Sequence, residues 1–174
     1  MSDDLAAYME RITLMTFFCG YPLLYALVFF IAGKYEEKKT FARKLTSLLP
    51  LGYALSATLF LGLFLKNISV NYSLTNAAAP LSFLQLWGLS AVLFWIPALS
   101  KKPVFSLLHS AIFLYLLLKD LFIYTISSTD KDMVRNDMKI YTLSLLINTG
   151  TFIVIALVSF ILSTTRKNKK ASGD

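Results

Sequence analysis

Five long apolar stretches, separated by short polar segments, constrain the fold of this chain more than any other feature. They cover approximately residues 12–33, 45–65, 81–100, 104–126 and 140–165. About 20 helical residues, each rising ~1.5 Å, cross the ~30 Å hydrocarbon core of a bilayer. Each stretch is close to that length or exceeds it. The sequence therefore predicts an all-α, multi-pass membrane protein, a bundle of about five transmembrane helices joined by short loops.

The composition agrees with a chain that lies almost entirely in a bilayer. Of the 174 residues, 56% are hydrophobic and 16% are charged, whereas soluble domains average roughly 45–50% apolar and 25% charged residues. The polar segments between the apolar stretches are too short to build a hydrophobic core of their own. We therefore expect one integral membrane domain that comprises residues 1–174.

The distribution of basic residues predicts the orientation. With five crossings, segments 34–44 and 101–102 and the C-terminal tail share one side, and eleven of the 17 Lys and Arg residues lie there against five on the other side. Short cytoplasmic loops are enriched in Lys and Arg, so we expect the N-terminus outside and the C-terminus in the cytoplasm. The expected location is the inner (plasma) membrane of a bacterium. Anionic lipid headgroups account for the net charge of +7 without a nucleic-acid partner.

Polar residues inside the apolar stretches are the candidate functional residues, because a charge at a span centre costs ~2.5–3.5 kcal/mol. Lys119 and Asp120 lie about two turns from one end of the fourth stretch, and Asn148 lies at a similar depth in the fifth. We predict that Asp120 or Lys119 contacts Asn148 or a partner subunit at that depth. Alternatively, a fourth stretch that ends near Leu118 would place Lys119 and Asp120 at the membrane interface. Two further intramembrane polar candidates are His109 and Gln85.

Small residues in the second apolar stretch predict a face that packs against another helix. Ala54, Thr58 and Gly62 share one stripe of a helix, and Gly52 and Ser56 lie beside it. Such stripes allow close helix approach in lipid, where burial of apolar surface provides no driving force. The pattern predicts that this face meets a helix, and does not say whether that helix belongs to the same chain.

A kink is expected in the first apolar stretch, which contains the sequence Gly20-Tyr21-Pro22. Proline lacks a backbone N–H, so a carbonyl one turn earlier loses its helical partner. Cys19 stands next to this site and is the one cysteine of the chain. An internal disulfide is therefore impossible, and we expect Cys19 to be a small buried apolar residue.

The sequence lacks the residue sets that carry common catalytic or metal chemistry. One His and one Cys are too few for a haem with two histidine ligands or for a Cys/His metal site. The chain has no phosphate-binding Gly loop, no HExxH pattern and no Ser-His-Asp set supported by spacing. We therefore expect no enzymatic activity, no cofactor, no metal and no small-molecule substrate.

Two functions fit these features. The first is a non-enzymatic accessory or structural subunit of a larger membrane protein complex, with membrane lipids and other integral membrane proteins or copies of itself as partners. The alternative is a small oligomeric channel or transporter with a polar path near Asp120 and Asn148. Catalysis on lipid is disfavoured, because His109 and Asp120 are about 16 Å apart along one helix.

Overall fold

The computed structural model describes residues 2–34, 39–71, 81–126 and 131–171, and all regular structure within them is helical. The α-helices are α1 (Ser2–Phe18), α2 (Tyr21–Lys34), α3 (Lys39–Ser47), α4 (Leu49–Asn71), α5 (Phe83–Ser90), α6 (Pro97–Ser100), α7 (Pro103–Ile126) and α8 (Lys131–Ala171). Four helical stretches are long and apolar enough to cross a membrane, namely Tyr8–Gly33, Arg43–Asn67, Pro103–Ile123 and Arg135–Thr165. By length and composition, the chain is a multi-pass integral membrane protein.

The third predicted span, 81–100, is not one long helix, which corrects the expectation of five similar helices. It consists of α5, a 3₁₀ segment at Ala91–Trp95, a bend at Ile96 and the single turn α6. Pro97 opens α6, and Ile96 before it has an extended backbone with φ −70° and ψ 126°. A residue that precedes proline avoids the α conformation for steric reasons. The proline therefore accounts for the bend in this segment.

The two ends of the broken segment lie at opposite ends of the bundle. Ser82 at the start of the segment hydrogen-bonds Glu10 of α1. Arg11, which follows Glu10 in α1, pairs with Asp120 of α7. The other end of the segment leads directly into Pro103, the first residue of α7. Asp120 is about 26 Å from Pro103 along α7, at ~1.5 Å per residue. We call these two ends of the bundle the Arg11 end and the Pro103 end.

The first apolar stretch is bent where its Gly-Tyr-Pro sequence predicts. Helix α1 ends at Phe18, and α2 begins at Tyr21 after a turn formed by Cys19 and Gly20. A helix end leaves backbone carbonyls and N–H groups without their helical partners. Side chains of α8 bind two of the groups freed here, the carbonyl of Phe17 and the N–H of Gly20.

The core is aromatic and lies where α1, α4 and α7 meet. The ring of Phe18 packs against those of Tyr53 and Phe113, with centroid distances of 5.6 and 4.8 Å. Cys19 is buried beside them, as expected from the sequence. Large apolar side chains on α2 and α8 point outward, among them Phe30 and Phe160, which are 73% and 67% exposed. Such a surface is suited to hydrocarbon as the surrounding solvent.

Candidate functional site: polar clusters between the helices

His109 is enclosed by aromatic and hydroxyl side chains. Its Nδ1 lies 2.8 Å from the Tyr53 hydroxyl, and its Nε2 lies 2.9 Å from both Ser90 Oγ and the Trp87 carbonyl. The imidazole also stacks on the Trp87 ring with 4.7 Å between centroids, and Trp87 Nε1 donates to the His109 carbonyl at 3.2 Å. Both imidazole nitrogens are thus occupied by protein partners, and the residue joins α4, α5 and α7.

Asn148 lies at the break between α1 and α2. Its Nδ2 donates to the carbonyls of Phe17 and Ser144, both at 2.8 Å. The hydroxyl of Ser144 accepts the N–H of Gly20, also at 2.8 Å. Asn148 and Ser144 are one turn apart on the same face of α8. Together they replace hydrogen bonds that the first span loses at its kink.

The Asn148 cluster extends to α4 through Ser56. The Ser56 hydroxyl is 2.8 Å from that of Thr151 and donates to Asn148 Oδ1 at 3.2 Å, and all three residues are buried. One turn from Ser56, Gly52 approaches α8 so closely that an added Cβ would lie 3.0 Å from the Phe152 Cα. The part of the predicted packing face formed by Gly52 and Ser56 therefore meets α8.

The rest of the predicted packing face is less buried by other helices of this chain. Ala54 is buried, whereas Thr58 is exposed and accepts the indole N–H of Trp95 at 2.9 Å. Gly62 is exposed, and a Cβ added there would meet no described neighbour within 4 Å. The Thr58–Gly62 half of the stripe thus faces the surroundings of the chain.

Charged residues form a second group at the Arg11 end. Arg11 Nη2 donates to Asp120 Oδ1 at 2.7 Å and to the Leu116 carbonyl at 3.4 Å. Asp137 of α8 is 6% exposed and lies within electrostatic range of both Arg11 and Asp120. This group therefore brings α1, α7 and α8 together with one cation and two carboxyl groups.

The predicted contact between Asp120 or Lys119 and Asn148 is wrong in the described part of the chain, whereas the alternative contact with a partner subunit stays a prediction. Asp120 pairs with Arg11, Asn148 bonds to α1, α4 and its own helix, and Lys119 is exposed. Sequence reasoning placed Arg11 and Asp137 in polar segments outside the spans and so missed them. The sequence does indicate that Arg11 and Asp120 lie near the same end of their spans, and opposite charges at a shared depth tend to pair.

Two further predictions concern the end of the fourth span and the position of Gln85. Helix α7 continues past Leu118 to Ile126, and its apolar stretch Pro103–Ile123 includes Lys119 and Asp120. That these two residues lie at the membrane interface stays a prediction. Gln85 belongs to the start of α5, where its Oε1 accepts the N–H of Ser82 while Ser82 Oγ accepts the N–H of Gln85, both at 3.1 Å. This reciprocal pair is a capping box, which fixes the first turn of a helix.

Two grooves lie beside α8, with volumes of about 420 and 580 Å³, and neither is lined by His109, Asp120 or Asn148. Within the described ranges, no group of three or more His, Cys, Asp or Glu side chains could hold a metal ion.

Comparisons with protein-family models, with curated proteins and with solved structures found no match for this chain. Its class therefore follows from its own sequence and geometry. It is a helical multi-pass membrane protein in which buried polar side chains connect neighbouring helices.

Proposed function

We propose that this chain is a non-enzymatic accessory or structural subunit of a larger membrane protein complex. The observation that carries the proposal is the inward direction of its intramembrane polar side chains. His109, Asn148 and Ser56 are buried and bonded to other helices of the chain. Groups engaged in this way join helices and are not presented to a substrate. The chain then offers its surroundings an apolar surface suited to lipid and to other membrane helices.

The surface best suited to a partner helix lies on α4. Thr58 and Gly62 are one turn apart on that helix, and both are exposed. The open space at Gly62 would let a second helix approach the backbone closely, which is how helices associate in lipid. Helix α8 adds a broad apolar face of exposed side chains at Ile153, Val154, Leu157, Val158, Phe160, Ile161 and Leu162.

We further infer five crossings, with the N-terminus outside and the C-terminus in the cytoplasm of a bacterium. The broken segment 81–100 supports the odd count, because it runs from the Arg11 end to the Pro103 end. Its 3₁₀ part rises ~2.0 Å per residue and so lengthens a segment that is short for a crossing. The excess of Lys and Arg on the side of the C-terminal tail supports the orientation.

Purification of the tagged full chain in mild detergent, followed by mass spectrometry, tests the subunit proposal. We expect another integral membrane protein to co-purify at fixed stoichiometry. Gly62→Ile should reduce that recovery while leaving thermal stability unchanged, because the added side chain projects into open space. Gly33→Ile is the matched control, since Gly33 is equally open but lies on α2. Recovery of the wild-type chain only as a lone monomer would contradict the proposal.

The second candidate is a small oligomeric channel or transporter. The observation that favours it is the charged group of Arg11, Asp120 and Asp137 within the helical bundle, since charges in spans often mark ion pathways. Flux into vesicles that contain the purified protein, abolished by Asp120→Ala, would support this candidate. Absence of flux from well-folded protein would favour the subunit.

A further inference from the structure

One oxygen of the buried Asp137 carboxyl group, Oδ2, lacks a hydrogen-bond donor among the described residues. The residue is 6% exposed. The charge of Arg11 acts on Asp137, but Arg11 Nη2 donates to Asp120 and to the Leu116 carbonyl. The buried Nε of Arg11, like Oδ2 of Asp137, has no partner among the described residues. A carboxylate ion buried without a donor is costly, and such groups tend to become neutral instead.

The charges around Asp137 determine what can neutralise it. The negative charge of Asp120 disfavours a carboxylate at Asp137, whereas the positive charge of Arg11 favours it. Arg11 already forms a 2.7 Å ion pair with Asp120. Tyr141 follows one turn further along α8, and Cys19 is buried at the end of α1. Glu10, which is bonded to Ser82, is a further ionisable group near this end. The other described ionisable groups of α1, α4, α7 and α8 there are exposed, namely Tyr8, Lys66, Tyr115, Lys119, Arg135 and Lys139.

A proton fits this site better than a metal ion. Metal ions such as Ca²⁺ and Mg²⁺ require six or more oxygen ligands. The positive charge of Arg11 also acts on Asp137 and would repel a second cation. A proton needs only the one unpartnered oxygen. The side chains of Arg11 and Asp120 are 32% and 17% exposed, so the cluster is partly open to its surroundings at the Arg11 end.

We propose that Asp137 is a proton-binding group of the Arg11–Asp120–Asp137 cluster. Its carboxylate takes up a proton on Oδ2 from water at the Arg11 end, becomes a neutral carboxylic acid, and returns the proton to the same side. The Arg11–Asp120 ion pair stays formed in both states. The proposal does not depend on whether the chain is a subunit or a transporter.

Infrared difference spectroscopy of the full chain in lipid nanodiscs tests this assignment across a pH titration. We expect wild-type protein to show a titrating carbonyl band of a buried carboxylic acid. Asp137→Asn, which is close in shape to the protonated acid, should lose that band. Glu10→Gln is the matched control and should retain it. In Asp120→Asn, Arg11 becomes available to Asp137, so the titration should move to lower pH by about one unit or more.

Three results would overturn the proposal. The first is a wild-type protein without a titrating carboxylic-acid band, and the second is an unchanged band in Asp137→Asn. The third is a titration that shifts when sodium or potassium replaces choline, because a cation would then compete for the site. If Asp137→Asn does not fold, Asp137→Glu keeps the acid and should move the band frequency. An unmoved band there assigns the proton to another group.

Discussion

Gly20→Ala is expected to lower the free energy of unfolding in detergent by about 1–3 kcal/mol or more. A Cβ at Gly20 would contact the backbone of α8, including the Leu145 Cα at 2.7 Å. Backbone atoms cannot rotate away as a side chain can, so the bent first span would have to separate from α8. That movement would also break the hydrogen bond from the Gly20 N–H to Ser144. The midpoint of unfolding in mixed micelles, or of thermal unfolding, measures the loss.

The chain contains matched controls for this substitution. Gly33 and Gly150 are helical glycines at which an added Cβ meets no described neighbour within 4 Å. Gly33→Ala and Gly150→Ala should be as stable as wild type or slightly more stable, because alanine has the higher helix propensity. If Gly20→Ala unfolds at the same point as Gly150→Ala, the close packing of the kink against α8 is contradicted.

Asn148→Leu is expected to destabilise the protein by about 1–2 kcal/mol. The leucine preserves most of the volume but leaves the Phe17 carbonyl without its donor and Ser56 without one acceptor. A carbonyl at a helix end inside a membrane has no water to replace the lost partner. The effect should therefore exceed that of Thr142→Val, whose exposed hydroxyl bonds only within α8. The same unfolding measurement compares the two variants.

A double-mutant cycle distinguishes loss of the Ser56–Asn148 hydrogen bond from a simple loss of packed side-chain volume. Ser56→Ala and Asn148→Leu remove opposite partners of one hydrogen bond, so their destabilisation should be less than additive. Strict additivity would show that the Ser56–Asn148 bond does not couple α4 to α8. An Asn148→Leu protein as stable as wild type would show that Asn148 does not hold α1 and α4 against α8.

The helical membrane class and most spans were predictable because hydropathy reports how long a segment remains apolar. The same measure does not distinguish α from 3₁₀ backbone, so segment 81–100 was expected to be one helix. Its bend had a local cause in the sequence, since Pro97 restricts Ile96. The kink next to Pro22 was predicted from another property of proline, its missing backbone N–H, and the turn lies at Cys19 and Gly20 in the first span.

The partners of the polar residues were harder to predict than their positions. Depth along a span follows from residue number, but the rotation of each helix about its axis depends on packing throughout the bundle. Asn148 was therefore found as a buried polar residue, while its bonds to Phe17 and Ser56 were not. Arg11 was missed as a partner of Asp120 because it was counted with the polar terminus.

Cysteine labelling on either side of the broken segment tests the five-crossing membrane architecture most directly. In a Cys19→Ala background, Leu81→Cys and Lys101→Cys each provide one exposed thiol at opposite ends of segment 81–100. We expect a membrane-impermeant maleimide to label position 81 only from outside the cell and position 101 only from the cytoplasmic side. Labelling of both positions from the same side would contradict the five crossings and the orientation inferred from them.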